Sequence, residues 1–281
     1  TAMTSTNTNT YLSLYNSSSV SAPKLASVTN VILYVRNGAV LNLPAVTSYT
    51  WNLAANPTVF DVANTGSTIN LPALATLVFN IGSSSFITLR MQADDQGHIA
   101  IPSLSAPALG TNHRYAIGLS NGGTIDASGL DSALGLNLTV AAGSSLSLPG
   151  VTSFVNNTVT IDGAFTAANA TTMTGSTVVF QSNASVNLPG LTSIGTSSLT
   201  AKDTVNVSLP EVTSLQSTNI TVQNSASLAL PKLTSYASTN TNTYLSVYNS
   251  GVFSAPELVS LTNVILYARQ GGDIVLPKVA S

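Results

Sequence analysis

The chain contains no cysteine and very little charge. Without cysteine it can form neither a disulfide framework nor a thiolate metal or redox site. Charged residues make up 6% of the 281 residues, against roughly 25% in an average soluble domain. The net charge is −2 and the basic residues are thinly spread, so we expect no nucleic-acid surface. No apolar run reaches the ~18 residues of a transmembrane helix, and we expect no membrane span.

The sequence is instead built from many copies of a short motif. The motif Leu-Pro-x-apolar-Thr-Ser recurs along the chain, as in LPAVTSY, LPGVTSF and LPEVTSL. Its prolines, many of them 21 residues apart, are Pro23, Pro44, Pro72, Pro102, Pro149, Pro189, Pro210, Pro231, Pro256 and Pro277. Two proline-free copies place Ser128 and Ala168 at the same position, which gives 12 units.

Within one unit, apolar and polar residues alternate over short stretches. Ile220 and Val222 alternate with polar neighbours, Asn224-Ser225 indicates a turn, and Leu228 and Leu230 alternate again. No stretch keeps the 3.6-residue apolar period of a helix. The pattern predicts an all-β fold, a single-stranded, right-handed parallel β-helix (β-solenoid) of about 12 coils, each of ~21 residues.

Two columns of apolar residues predict the inner faces of the coils. Three residues before the proline position stand Val20, Leu41, Ile69, Ile99, Ile125, Leu146, Phe165, Val186, Val207, Leu228, Phe253 and Ile274. Two residues after it stand Leu25, Val46, Leu74, Leu104, Leu130, Val151, Ala170, Leu191, Val212, Leu233, Leu258 and Val279. Four residues after the proline, most units have Ser or Thr, which predicts a tight corner of stacked small residues.

The sequence at the end of the chain nearly repeats the sequence at its beginning. Thr6–Ser48 and Thr239–Ser281 are identical at 28 of 43 positions. We therefore expect one continuous solenoid over 1–281, in which 239–281 repeats 6–48 as the start of a second 233-residue unit. The coils at 50–128 are irregular and carry insertions such as TWNLAANP and SAPALGTNHRY.

The irregular coils collect most of the residues that could do chemistry, namely Trp51, Arg90, Asp94, Asp95, His98, His113 and Arg114. An Asp/His cluster for acid–base chemistry or metal binding is one interpretation. The other is an ordinary loop that gathers polar residues. Because QADDQGHIA lacks a metal-ligand spacing and no Ser-His-Asp or phosphate-loop motif is present, the second is favoured. We predict no enzyme activity, no metal and no cofactor.

Two outward-facing patterns are candidate binding surfaces. In YLSLY the leucines point inward, so Tyr11 and Tyr15 point outward, and one coil later Tyr34 and Arg36 lie beside them. The same set returns as Tyr244, Tyr248, Tyr267 and Arg269. Exposed tyrosines beside an arginine suit stacking on sugar rings or packing on a partner protein, although they also suit simple cross-strand packing. Trp51 is a further candidate for the same role.

The second pattern is an array of threonines. NLT, TVT, TVV, SLT and NIT occupy equivalent outward positions at 137–139, 158–160, 177–179, 198–200 and 219–221. A flat threonine grid resembles the ice-binding surfaces of some antifreeze proteins and adhesins. Threonine is also an ordinary residue for an uncharged strand.

The LPxLTS units cover nearly the whole chain and resemble the β-solenoid repeats of large secreted or cell-surface proteins, many of them bacterial adhesins. They are also similar to the receptor L-domain-like repeats of fungal wall proteins. The resemblance implies export to an extracellular or cell-surface location, and a stalk or filament role. Its partners would be neighbouring copies of the repeat stacked end to end, and a glycan or cell-surface protein. The alternatives are an adhesion module that binds carbohydrate or protein and, less favoured, a polysaccharide-cleaving β-helix enzyme.

Overall fold

The computed structural model describes residues 1–79, 87–105 and 113–279. Within these residues every regular element is a β-strand, and every strand pairing is parallel. The strands stack as a β-solenoid of about 12 coils of ~21 residues, which confirms the fold class. The chain forms two compact units, Thr1–Gly150 (unit 1) and Val151–Ser281 (unit 2).

The strands of unit 1 are β1 (Ala2–Thr4), β2 (Tyr11–Leu14), β3 (Ser19–Ser21), β4 (Ser27–Thr29), β5 (Ile32–Arg36), β6 (Val40–Asn42), β7 (Ser48–Trp51), β8 (Thr58–Ala63), β9 (Thr68–Asn70), β10 (Thr76–Phe79), β11 (Ile87–Asp94), β12 (His98–Ala100), β13 (His113–Leu119), β14 (Thr124–Asp126), β15 (Ala133–Leu134), β16 (Leu136–Val140) and β17 (Ser145–Ser147). The longest strands pair in the order β2-β5-β8-β11-β13-β16, which we call the long-strand sheet of unit 1. Two further sheets have the orders β1-β4-β7-β10 and β3-β6-β9-β12-β14.

The strands of unit 2 are β18 (Ser153–Val155), β19 (Thr158–Ile161), β20 (Ala164–Thr166), β21 (Thr172–Thr174), β22 (Thr177–Phe180), β23 (Ser185–Asn187), β24 (Ser193–Gly195), β25 (Ser198–Ala201), β26 (Asn206–Ser208), β27 (Ser214–Gln216), β28 (Asn219–Gln223), β29 (Ser227–Ala229), β30 (Ser235–Ala237), β31 (Tyr244–Tyr248), β32 (Val252–Ser254), β33 (Ser260–Thr262), β34 (Ile265–Arg269) and β35 (Asp273–Val275). Its long-strand sheet has the order β19-β22-β25-β28-β31-β34. The second sheet is β18-β21-β24-β27-β30-β33, and shorter sheets pair β20-β23 and β26-β29-β32-β35.

The proline marks one corner of each coil. In the turn that contains Pro231, the backbone N–H of Leu233 donates to the carbonyl of Leu230 at 3.1 Å, and the turn that contains Pro44 closes in the same way. Proline sits second in this four-residue turn, where its fixed φ is favourable and its missing N–H costs nothing. The residue that follows the proline does not have a positive φ. A type II turn would require a positive φ at this position, so the turn is of type I.

The other two corners use residues in the left-handed region. One corner has a single such residue, for example Asn30 or Asn263. The other has two in succession, as at Asn249-Ser250, where the N–H of Gly251 donates to the carbonyl of Tyr248 at 3.1 Å. Because Asn tolerates positive φ better than most residues, it recurs at these positions.

The column four residues after the proline was wrongly predicted to be a corner. Ser48, Ser193 and Ser235 each begin a strand. The chain has already turned at the proline and needs no second corner there. Ala106, which occupies this column in one irregular coil, lies outside the described residues.

The predicted inward columns form the core. Nearly all of their members are buried, and the core also contains the large side chains of Tyr49, Phe60, Phe180 and Tyr236. Val20, which lies on the edge strand β3, is an exception and is exposed. Each coil thus shares its apolar faces and its strand hydrogen bonds with the coils beside it, so that stability belongs to the array and not to a single coil.

Candidate functional site

A cluster of three tyrosines lies on the outer face of the long-strand sheet of unit 1. Tyr11 in β2 is 53% exposed, Tyr15 just after β2 is 47% exposed, and Tyr34 in β5 is half-buried between them. The ring of Tyr34 is 6.5 Å from Tyr11, edge to face, and 5.7 Å from Tyr15. We call these residues the tyrosine cluster. The alternation in YLSLY predicts the outward orientation of Tyr11 and Tyr15, and both side chains are exposed.

Arg36 and Asp61 form the charged edge of this cluster. The guanidinium carbon of Arg36 lies 4.2 Å from the centre of the Tyr34 ring, and its Nη2 donates to Asp61 Oδ1 at 2.5 Å. Burial opposes the charged guanidinium, but the hydrogen bond and charge of Asp61 outweigh it and hold the pKa of Arg36 above its ordinary value. The guanidinium therefore stays charged, and it forms a salt bridge with Asp61.

Sequence reasoning missed Asp61. In the structure it lies directly opposite Tyr34, because β8 pairs with β5 in this register. The 28-residue spacing from Pro44 to Pro72 hid this register. The apolar-polar-apolar pattern of Phe60, Asp61 and Val62, which places Asp61 outward, was the available signal.

A cavity of about 290 Å³ opens beside the tyrosine cluster. Tyr11, Tyr34 and Asp61 form part of its wall, and Asn56 with its neighbours before β8 forms another part. Asn56 Oδ1 accepts a hydrogen bond of 2.7 Å from the backbone N–H of Thr88, which holds the side-chain amide in place. The irregular insertion before β8 thus builds one side of the cavity.

Unit 2 carries the repeat of this arrangement. Tyr244 and Tyr248 lie in β31, and Tyr267 and Arg269 in β34, where Tyr248 is directly opposite Arg269. The guanidinium carbon of Arg269 lies 4.8 Å from the centre of the Tyr267 ring. A cavity of about 290 Å³ is lined by Tyr248, Tyr267 and Arg269 together with Ser246 and Val247. The aromatic–cation stack is therefore reproduced in both copies of the duplicated sequence.

Trp51 lies in the core and not on this surface. Its side chain is fully buried, and its indole N–H donates to the carbonyl of Leu53 at 2.8 Å. In this position the ring has no exposed face for a ligand to contact.

The predicted threonine rows are in register in unit 2. Thr158, Thr177, Ser198 and Asn219 are successive partners, and so are the residues of the row Thr160, Val179, Thr200 and Thr221. Each row therefore mixes threonine with other side chains, and the surface is not a uniform threonine grid.

The polar residues of the irregular coils lie apart. His98 Nδ1 is 2.8 Å from Thr124 Oγ1, Asp94 accepts from Gln92 and Ser120, and Asp95 accepts from Asn121. His113 is buried and stacks on Phe79. In the part of the chain that the structure describes, no three His, Asp or Glu side chains come together as a possible metal site. The insertion SAPALGTNHRY lies mostly outside those residues.

Comparison with known proteins gives no relative. No family model matches the chain, and no curated protein or solved structure matches it. None of the described residues belongs to a helix long and apolar enough to cross a membrane. The repeat and the tyrosine cluster are therefore the features of the chain that bear on its function.

Proposed function

We propose that the chain is a structural repeat that lengthens an extracellular or cell-surface fibre or adhesin stalk, without catalysis. The observation that carries this proposal is the exact offset between the two copies of the duplicated sequence. The strands β2, β3, β4, β5 and β6 begin at residues 11, 19, 27, 32 and 40, and β31 to β35 begin 233 residues later, at 244, 252, 260, 265 and 273. The two copies of the duplicated sequence thus form the same succession of strands and corners.

A comparison of equivalent residues shows what an adjacent coil contributes to the packing. Leu33 in β5 is fully buried between the neighbouring strands β2 and β8, where it lies opposite Leu12 and Phe60. Its counterpart Leu266 in β34 is 42% exposed and has a strand partner, Leu245, on one side. One more coil against β34 would cover Leu266 as β8 covers Leu33. A stacked array is stabilised by such contacts between neighbouring coils.

The surface chemistry suits an exposed fibre. Side-chain hydrogen bonds run from coil to coil along the corners, as from Asn224 to Asp203 and from Asn249 to Asn224. Threonine hydroxyls do the same, with Thr213 and Thr234 each donating to the carbonyl of the equivalent residue one coil earlier. These hydrogen bonds repeat with the coil and add to its cohesion. The threonine bonds join uncharged groups, so they are insensitive to salt.

Neighbouring copies are the proposed partners. An edge strand with unpaired backbone groups is a template for another strand, and within these 281 residues β34 is an edge strand, with Ile265 and Leu266 exposed. We expect light scattering to show a size that grows with protein concentration. The variant Ile265→Lys, which places a charge on this edge, should stay monomeric. A wild-type protein that is monomeric at every concentration would contradict end-to-end stacking.

Immunogold electron microscopy of the intact source cells tests the fibre role. An antibody against residues 129–238, outside the duplicated text, should label filaments outside the cell. Label confined to the cell interior, or to isolated particles, would contradict it.

A binding module for carbohydrate or protein is the second candidate function. The observation that favours it is the tyrosine cluster, because Tyr11 and Tyr15 keep about half of their surface exposed. Tyrosine supplies contact area with few rotatable bonds and is enriched in binding surfaces. A fibre could carry such sites along its length, so the two functions are compatible.

A further inference from the structure

We infer that the cavity beside the tyrosine cluster is a binding site for one uncharged sugar ring of a glycan, with Tyr11 and Tyr34 as the stacking surface and Asp61 and Asn56 as hydrogen-bonding groups. This inference rests on the carbohydrate-binding role proposed as the second candidate function, and it names the site and the ligand class. All of these residues belong to unit 1.

The size of the cavity limits the ligand. Small-molecule pockets usually measure about 300–1,000 Å³, and this one measures about 290 Å³. It therefore has room for a single six-membered ring, and the remainder of a longer ligand would extend across the open face of the sheet.

The aromatic residues favour a ligand with an apolar face. Tyr11 and Tyr34 both line the cavity, and their edge-to-face packing fixes the two rings relative to each other. A pyranose presents C–H groups on one face and hydroxyls around its rim. The C–H face can pack on an aromatic ring while the hydroxyls reach polar groups at the edge.

The charges argue against an ionic ligand. Asp61 lines the cavity, but its carboxylate is already paired with Arg36. A cationic ligand would compete with the guanidinium for the carboxylate, and an anionic ligand would meet the carboxylate itself. A neutral hydroxyl avoids both costs, because it can donate to the carboxylate without displacing Arg36.

The polar rim provides complementary groups. The oxygen of the Asn56 side chain is engaged by the backbone of Thr88, so its –NH₂ is the group that can donate to a ligand. Asp61 supplies an acceptor. One donor and one acceptor beside a stacking ring can bind neighbouring hydroxyls of a sugar in a fixed orientation.

The chain contains its own control. Tyr244 and Tyr267 are the counterparts of Tyr11 and Tyr34 at an offset of 233. Within these 281 residues, the two cavities described in unit 2 are lined by no acidic side chain. We therefore expect the tyrosines of unit 2, in these 281 residues, not to reproduce the inferred site, which makes Tyr244→Ala a matched control for Tyr11→Ala.

The test is binding of the whole chain to an array of neutral, sialylated and sulfated oligosaccharides, followed by titration of the best neutral ligand by NMR. We expect neutral glycans to be retained. Tyr11→Ala and Asp61→Asn should each weaken binding at least tenfold, whereas the matched control Tyr244→Ala should leave it unchanged. Because Tyr11 is largely exposed, its substitution leaves the fold intact, which a circular dichroism spectrum checks.

The possible outcomes separate the inference from the role on which it rests. If glycans bind but Tyr11→Ala and Asp61→Asn have no effect, or if Tyr244→Ala weakens binding equally, the protein binds carbohydrate at another place and the inferred site is wrong. Retention of charged glycans alone would overturn the inferred ligand class. If no glycan binds, both the site and the carbohydrate-binding role fail.

Discussion

Truncation of one leucine in each copy of the duplicated sequence should have very different effects. Leu33 is fully buried, so Leu33→Ala removes packing on both sides and leaves a cavity, which costs about 3–4 kcal/mol of unfolding free energy. Leu266 is 42% exposed, and solvent can fill the space that Leu266→Ala opens, so the cost is about 1 kcal/mol or less. The two substitutions are identical in chemistry and lie in nearly identical local sequences, and they differ in whether a further coil covers the leucine.

Urea unfolding measures both costs. Trp51 is the one tryptophan of the chain and is fully buried in unit 1, so its fluorescence reports the unit that contains Leu33, and far-ultraviolet circular dichroism reports both units. Leu33→Ala should shift the fluorescence midpoint strongly, whereas Leu266→Ala should shift the circular dichroism midpoint only slightly. If Leu33→Ala fails to accumulate, Leu33→Val and Leu266→Val give the same order at lower cost. Equal shifts for the two positions would refute the reasoning that stability comes from contact between coils.

Three further outcomes are expected. Gly190→Ala should destabilise the protein by about 1–3 kcal/mol, because a Cβ there would lie 2.8 Å from the carbonyl oxygen of Ala168. Its control is Lys232→Ala, at the equivalent position of another coil, which loses an exposed ion pair and should cost less than about 1 kcal/mol. Equal urea midpoints for the two variants would contradict this prediction. Tyr236→Phe leaves the buried carbonyl of Thr218 without the hydroxyl that donates to it at 2.5 Å and should cost about 1–3 kcal/mol, measured by the same unfolding curves. Burial raises the pKa of Tyr49, Tyr115 and Tyr236, so folding favours their protonated forms. The free energy of unfolding should therefore fall as pH rises above about 10. An ultraviolet titration in which all nine tyrosines ionise before the protein unfolds would contradict this prediction.

The sequence predicts the coil well because each coil obeys local rules that repeat. Proline fixes one corner, the alternation of apolar residues fixes the strands, and twelve copies expose every column to comparison. A column of Leu or Val two residues after the proline has one physical explanation, which is burial. The handedness of the helix stays a prediction.

The incorrect predictions concern residues whose type fits two different structural positions. Small hydroxyl residues suit a tight corner and also the start of a strand, and the turn at the proline decides between them, since the chain cannot turn again so soon. A tryptophan in an insertion suits a surface site, but the core of the coil was large enough to bury Trp51.

The candidate site was only half predictable. The tyrosine cluster follows from alternation within β2 and β5, which are close in sequence. Asp61 and Asn56 belong to a coil of irregular length, and their place beside Tyr34 depends on the pairing of β8 with β5. Spacing alone does not give that register.

The sequence of the parent gene on both sides of these 281 residues tests the central claim most directly. The claim that the chain is a repeat of a long fibre predicts further copies of the 233-residue unit, with the inward leucines and the corner prolines retained. A gene whose repeats stop close to residues 1 and 281 would contradict it, and the tyrosine cluster would then be the place to seek the function.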